Sequence, residues 1–164
     1  VGYFTYLQNY TVNTTGYSFG STPGAVNGTV ENILANPNVK PEKAIKWDVG
    51  LDATLLDEKL NFSFDYYADN YKGILAKRFA GNNSGIIGQT LPFENIGKQR
   101  YTGFEISLGF QNNKSNPFRY FINGNFSSTR SREIYTGEGT YPYAWMYKQG
   151  GPVNQNFGYE FEGF

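Results

Sequence analysis

"IKWDVGLDATLLDEKLNFSFDYYADNY", residues 45–71, decides the fold. Ile45, Trp47, Val49, Leu51, Ala53 and Leu55 take every second position, with Lys46, Asp48, Gly50, Asp52 and Thr54 between them. After Leu56-Asp57-Glu58-Lys59 the pattern resumes: Leu60, Phe62, Phe64, Tyr66 and Ala68 alternate with Asn61, Ser63, Asp65, Tyr67 and Asp69. Side chains along a strand point to opposite faces in turn, so each run reads as a strand with one apolar and one polar face. If Leu55 pairs with Leu60 across the turn, Leu51 meets Phe64, Val49 meets Tyr66 and Lys46 meets Asp69. Apolar then faces apolar, and an opposite-charge pair falls on the polar side. Both runs are about twice the usual five or six residues, and that length needs a cause of its own.

Working outward, two more alternations appear. Thr102, Phe104, Ile106, Leu108 and Phe110 alternate with Gly103, Glu105, Ser107, Gly109 and Gln111. Phe118, Tyr120, Ile122 and Phe126 alternate with Arg119, Asn123, Asn125 and Ser127. Strands are expected at about 1–10, 44–56, 59–75, 95–111, 117–133 and 157–164, with long loops at 11–43, 76–94 and 134–156. Residues 30–36 allow one or two helical turns at most. Long and short connections alternate, with short turns at 56–59 and 112–117. Short turns at one end and long loops at the other mark outer-membrane barrels. A tilted strand needs about 9 to 11 residues to cross the hydrocarbon layer, which explains the strand length. The expected fold is therefore all-β: an antiparallel meander of long strands, part of a transmembrane outer-membrane β-barrel over residues 1–164. A soluble β-sandwich accounts for the alternation but for neither the strand length nor the one-sided loops.

The composition agrees. Aromatics make up 18% of the 164 residues and charged residues 17%, with 20 Gly for turns. Formal net charge is zero, which argues against a nucleic-acid partner bound by phosphate neutralisation. Cysteine and histidine are both absent. That removes disulfides, thiolate metal sites, the commonest general base and any Ser-His-Asp triad. No run of 18 apolar residues forms a transmembrane helix. The mean hydropathy of −0.52 does not exclude a membrane barrel, because only alternate residues face lipid.

Few residues point to chemistry. Asp48 and Asp52 share a face, but four residues of strand separate them by about 13 Å. That exceeds the spacing of a glycosidase carboxylate pair. No catalytic residue, metal site or cofactor is expected, and the chain does not read as an enzyme. The stretch "YTGEGTYPYAWMYKQGG", 135–151, carries Tyr141, Tyr143, Trp145 and Tyr147 at alternate positions. Aromatic faces near polar groups suit stacking on sugar rings or holding peptide side chains. These four, with Arg78 in the neighbouring long loop, are the candidate substrate contacts. An interfacial aromatic girdle, or packing of the loop on itself, is the competing account.

Three stretches in order carry a family resemblance. "NPNVKPEKAIKWDVGLDATLLDEKLNFSFDYYADNYKGIL" (36–75) matches through Asn36-Pro37, Gly50-Leu51-Asp52 and Asp65-Tyr66-Tyr67, although Lys40-Pro41-Glu42 departs from the usual pattern. "ENIGKQRYTGFEISL" (94–108) matches through Asn95, Gly97, Gly103, Phe104 and Glu105, with Tyr101 where Asn is usual. "GGPVNQNFGYEFEGF" (150–164) matches through Gly151, Pro152, Phe157, Gly158, Tyr159, Gly163 and Phe164. Together they resemble the C-terminal barrel of SusC/RagA-type TonB-linked (TonB-dependent) outer-membrane transporters. The resemblance implies a longer protein, with a signal peptide, an N-terminal plug and about 22 strands, of which this chain is a fragment. It implies import of glycans or peptides across the outer membrane of a Gram-negative bacterium. The implied partners are a SusD/RagB-like surface lipoprotein, TonB acting through the plug region, and outer-membrane lipid. A siderophore or vitamin receptor of the wider class, and a soluble carbohydrate-binding β module, are the alternatives.

Overall fold

The computed structural model describes residues 6–14, 27–79, 91–112 and 117–163. The expectations for 1–5, 15–26, 80–90, 113–116 and Phe164 lie outside these residues. Six strands are present: β1 (Tyr10–Thr14), β2 (Gly28–Glu31), β3 (Lys43–Leu55), β4 (Leu60–Lys77), β5 (Phe93–Gln111) and β6 (Phe121–Tyr135). β1 and β2 form a small antiparallel pair, and the other four form one sheet in the order β3-β4-β5-β6. The sheet strands run 13, 18, 19 and 15 residues, lengths suited to a bilayer rather than a soluble sandwich.

The register of the first hairpin follows from its polar face. Lys46 Nζ lies 3.0 Å from Asp69, Thr54 Oγ1 donates to Asn61 Oδ1 at 3.2 Å, and the Asp65 carboxylate lies over Gly50. Leu51 therefore faces Phe64 and Val49 faces Tyr66, on the other side. Across β4, β5 and β6 that apolar side carries a row of rings. Phe64 and Phe104 have centroids 6.5 Å apart, and Phe104 and Phe126 5.8 Å apart. No apolar side chain among the described residues is buried, and Trp47, Val49 and Leu51 are 67%, 64% and 58% exposed. An apolar face this large that no described residue covers is the outer wall of a membrane barrel, not half of a soluble core.

Glycines on the polar face make room for neighbouring strands. The Tyr67 ring lies across Gly103, where a Cβ would come within 2.5 Å of it, and its hydroxyl bonds Thr129 Oγ1 at 2.5 Å. One side chain of β4 thus crosses β5 and is tied to β6.

Three expectations need correction. The first strand was expected at 1–10, yet residues 6–9 form none and β1 begins at Tyr10. There the Gln8 side chain, not a strand ladder, takes the Ala35 N–H at 2.9 Å. The 11–43 segment, expected as a loop, holds the β1–β2 pair. Residues 157–163 form no strand. The 134–156 loop is also partly ordered. β6 continues to Tyr135, and Gly150 N–H and Gly151 C=O bond Glu133 at 2.7 and 2.9 Å, covering part of an otherwise open edge.

The chain divides into two compact units. One comprises Val1–Lys43, Lys72–Gly97 and Tyr135–Tyr147; the other comprises Ala44–Tyr71, Lys98–Ile134 and Lys148–Phe164. β4 and β5 contribute residues to both.

Candidate functional site

In the first unit, the ends of β4 and β5 and the segment after β6 are held by polar clamps. Asn95 Nδ2 donates to the carbonyls of Lys40 and Gly73, each at 2.7 Å, and its Oδ1 accepts the Lys40 N–H at 2.8 Å. Asn36 Nδ2 donates to the Phe93 carbonyl at 2.7 Å. Gly73 sits at φ +73, a left-handed conformation that favours glycine. Asn36 and Asn95 were singled out as motif residues. Their role as clamps was not legible, because it depends on which carbonyls the fold brings near.

Arg78 follows the end of β4. Its Nη2 donates to Glu94 Oε2 at 2.6 Å and its Nε to Oε1 at 3.4 Å. The two side chains form an ion pair where β4 ends and β5 begins. Arg78 is thus paired with Glu94, and both side chains remain partly exposed. Next to it, Phe79 N–H bonds the Gly137 carbonyl at 2.9 Å, and its ring packs so closely on Gly139 that no Cβ fits there.

The four candidate aromatics separate into two pairs. A 3-10 turn, Ala144–Met146, breaks the expected alternation. Tyr141 and Tyr147 pack edge to face with centroids 5.1 Å apart, and Tyr141 packs against Phe79 at 5.8 Å. The Tyr147 hydroxyl accepts the Tyr141 N–H at 2.9 Å. These three rings form a half-buried knot that shapes the loop. Tyr143 and Trp145 are different. Their rings are nearly parallel (11°), 5.8 Å apart, and 60% and 69% exposed. Such a pair offers planar apolar faces to a ligand, and the turn that presents it is anchored by the knot.

The second unit has a separate feature, a concavity of about 440 Å³ on the polar face. Thr54, Asn61, Ser63, Ser107, Asn123 and Asn125 line it. Ser107 Oγ donates to Asn125 Oδ1 at 3.1 Å, so part of this polar surface is already satisfied internally.

Comparison with known proteins bears on the fold. The family model for TonB dependent receptor-like β-barrels matches residues 1–159. TonB-dependent receptor P3 of Formosa agariphila is 30% identical over 150 residues, covering 84% of this chain and 15% of that protein. Solved structures of the RagAB peptide importer superpose as well. In the open-open state the TM-score is 0.65 at 20% identity, covering 88% of this chain and 15% of that one. In the closed-closed state it is 0.60 at 20% identity, over 86% and 15%. The chain spans about 15% of the length of each of these relatives.

Proposed function

The chain belongs to the TonB dependent receptor-like β-barrel family and lies in the outer membrane, and from that premise we propose that it forms wall and loops of an importer of glycans or peptides. In this reading a SusD/RagB-like surface lipoprotein works with the barrel, and TonB supplies energy through a plug region outside these residues. The exposed Tyr143–Trp145 stack carries the reading, because binding residues collect on loops and this pair presents open ring faces there. The structural likeness to the RagAB peptide importer supports the choice of cargo class and partner. Tyr141 and Tyr147 support the site from beneath, and Arg78 steadies the loop base through Glu94. The wall itself performs no covalent chemistry. A siderophore or vitamin receptor is the second reading, favoured only by membership in the same family.

The test is uptake by the full-length receptor carrying Tyr143→Ala and Trp145→Ala. Removing one stacking aromatic costs about 1 kcal/mol, roughly fivefold, so uptake of the native cargo falls several-fold per residue while outer-membrane assembly is unchanged. Normal uptake by the double variant assigns the pair to loop packing instead.

A further inference from the structure

We propose that the outward face of β5 and β6 carries a binding site for the phosphate groups of an outer-leaflet glycolipid, formed by Lys98, Arg100, Arg130 and Arg132. The placement follows from the sheet. On the polar face, Gln99 Nε2 donates to Glu133 Oε1 at 3.0 Å, and Tyr67 reaches Thr129. Residues 98, 100, 130 and 132 alternate with these, so they lie on the outward face with Phe104 and Phe126. Their order along each strand is graded. From Phe104 the outward positions run through Thr102 to Arg100 and Lys98; from Phe126 they run through Ser128 to Arg130 and Arg132. The apolar band thus ends in one polar step and then in cations, toward the end of the strands where the longer connections lie. In outer-membrane barrels that end faces outward. The proposal rests on this orientation, not on the cargo.

Three observations mark the cluster as a ligand site rather than a solvated rim. The Gln99–Glu133 bond puts Arg100 directly opposite Arg132, a like-charge pair that destabilises a sheet unless something offsets it. No acidic residue occupies the outward positions of β3, β4, β5 or β6 in the second unit, and Glu94, of the same parity on β5, is paired with Arg78. All four cations are exposed, and among the described residues the one polar contact given to any of them is Arg100 Nε to Asn70 Oδ1 at 2.8 Å. That bond fixes the guanidinium and leaves its two terminal nitrogens for a ligand. Alternate residues are about 7 Å apart along a strand and strands about 5 Å apart, so the four charges fit within the reach of one or two phosphates. Guanidinium forks match phosphate oxygens, and basic residues beside an apolar band hold anionic lipid while its chains lie on that band. The acyl chains would rest on the Phe64–Phe104–Phe126 row. A free phosphate or soluble acidic peptide has no use for that row, which is why the site is assigned to a lipid.

The test uses the full-length receptor extracted from outer membranes in mild detergent, with retained lipid counted by native mass spectrometry. The wild type is expected to keep phosphorylated glycolipid. The variant Lys98→Gln/Arg100→Gln/Arg130→Gln/Arg132→Gln should retain at least about tenfold less, given the contribution of each basic residue near a charged surface. A Lys59→Gln/Arg119→Gln control, outside the cluster, should retain the wild-type amount. Equal retention by the fourfold variant overturns the proposal. If that variant does not assemble, the wild type alone decides after reconstitution with the same lipid before and after enzymatic removal of its phosphates. Preference for the phosphorylated form supports the site, and equal retention of both forms overturns it.

Discussion

Leu51 and Asp52 are neighbours in β3 that meet opposite environments, and Tyr141 and Tyr143, two residues apart, also have opposite fates. The two cases have different causes. In β3 the alternation of a strand places every side chain, and a bilayer on one side with a polar interior on the other makes the placement matter. After β6 no period operates. Tyr141 is held by Phe79 and Tyr147, whereas Tyr143 is carried out by a 3-10 turn and stacks on Trp145. A sheet wall is a periodic object, while a binding loop is an assembly of particular contacts.

The comparison can be broken hardest in the wall. Phe64→Arg, in the outward row of rings, should cost about 2–4 kcal/mol in a bilayer folding titration of the intact barrel, and Asp52→Asn on the polar face much less. Equal losses would mean that the faces are wrongly assigned. Gly103→Val comes next. It pushes a side chain into the Tyr67 ring and the Ser128 carbonyl, and overpacking of this kind costs about 1–3 kcal/mol. Tyr67→Phe keeps the ring but drops the bond to Thr129, for about 1 kcal/mol. If Gly103→Val is harmless, Tyr67 does not cross the sheet there.

How much of this was legible in the sequence follows the same division. The hairpin register of β3 and β4 was readable because alternation sets the faces and the 56–59 turn sets the pairing, which together bring Lys46 to Asp69 and Leu51 to Phe64. The fold class and the family were readable for the same reason, since strand length and motif order survive without knowledge of contacts. The four loop aromatics were found but read as one alternating strip. Their division into a knot and an exposed stack depends on the Ala144–Met146 turn and on Phe79, which is 62 residues from Tyr141 in the sequence. Arg78 is a candidate contact from its place beside a long loop, while its pairing with Glu94, 16 residues on, is visible only in the structure. Strand expectations failed at 6–9 and 157–163, where apolar and aromatic residues occur but the backbone forms no strand, because such residues alone do not make a ladder.

Smaller effects sharpen the loop side of the comparison. Phe79→Ala should loosen Tyr141 and Tyr147, lowering protection of the 135–147 backbone from hydrogen exchange by an amount equivalent to about 1 kcal/mol. Tyr143→Ala should leave that protection unchanged. The smallest expected effect is at the β3–β4 turn, where Leu56, Asp57 and Glu58 all adopt positive φ (57, 52 and 64). Asp57→Gly relieves one left-handed residue and should stabilise the hairpin by up to about 1 kcal/mol.

The most direct test of the account is single-cysteine scanning of residues 45–71 in the full-length receptor reconstituted in bilayers, comparing a water-soluble and a lipid-soluble reagent at each position. This chain has no cysteine of its own to interfere. The account predicts a period of two that reverses parity across the 56–59 turn. Trp47, Val49, Leu51, Phe62, Phe64 and Tyr66 should react from the lipid side, and Asp48, Asp52, Ser63, Asp65 and Tyr67 from water. A profile with no alternation, or one that keeps the same parity on both strands, would contradict it.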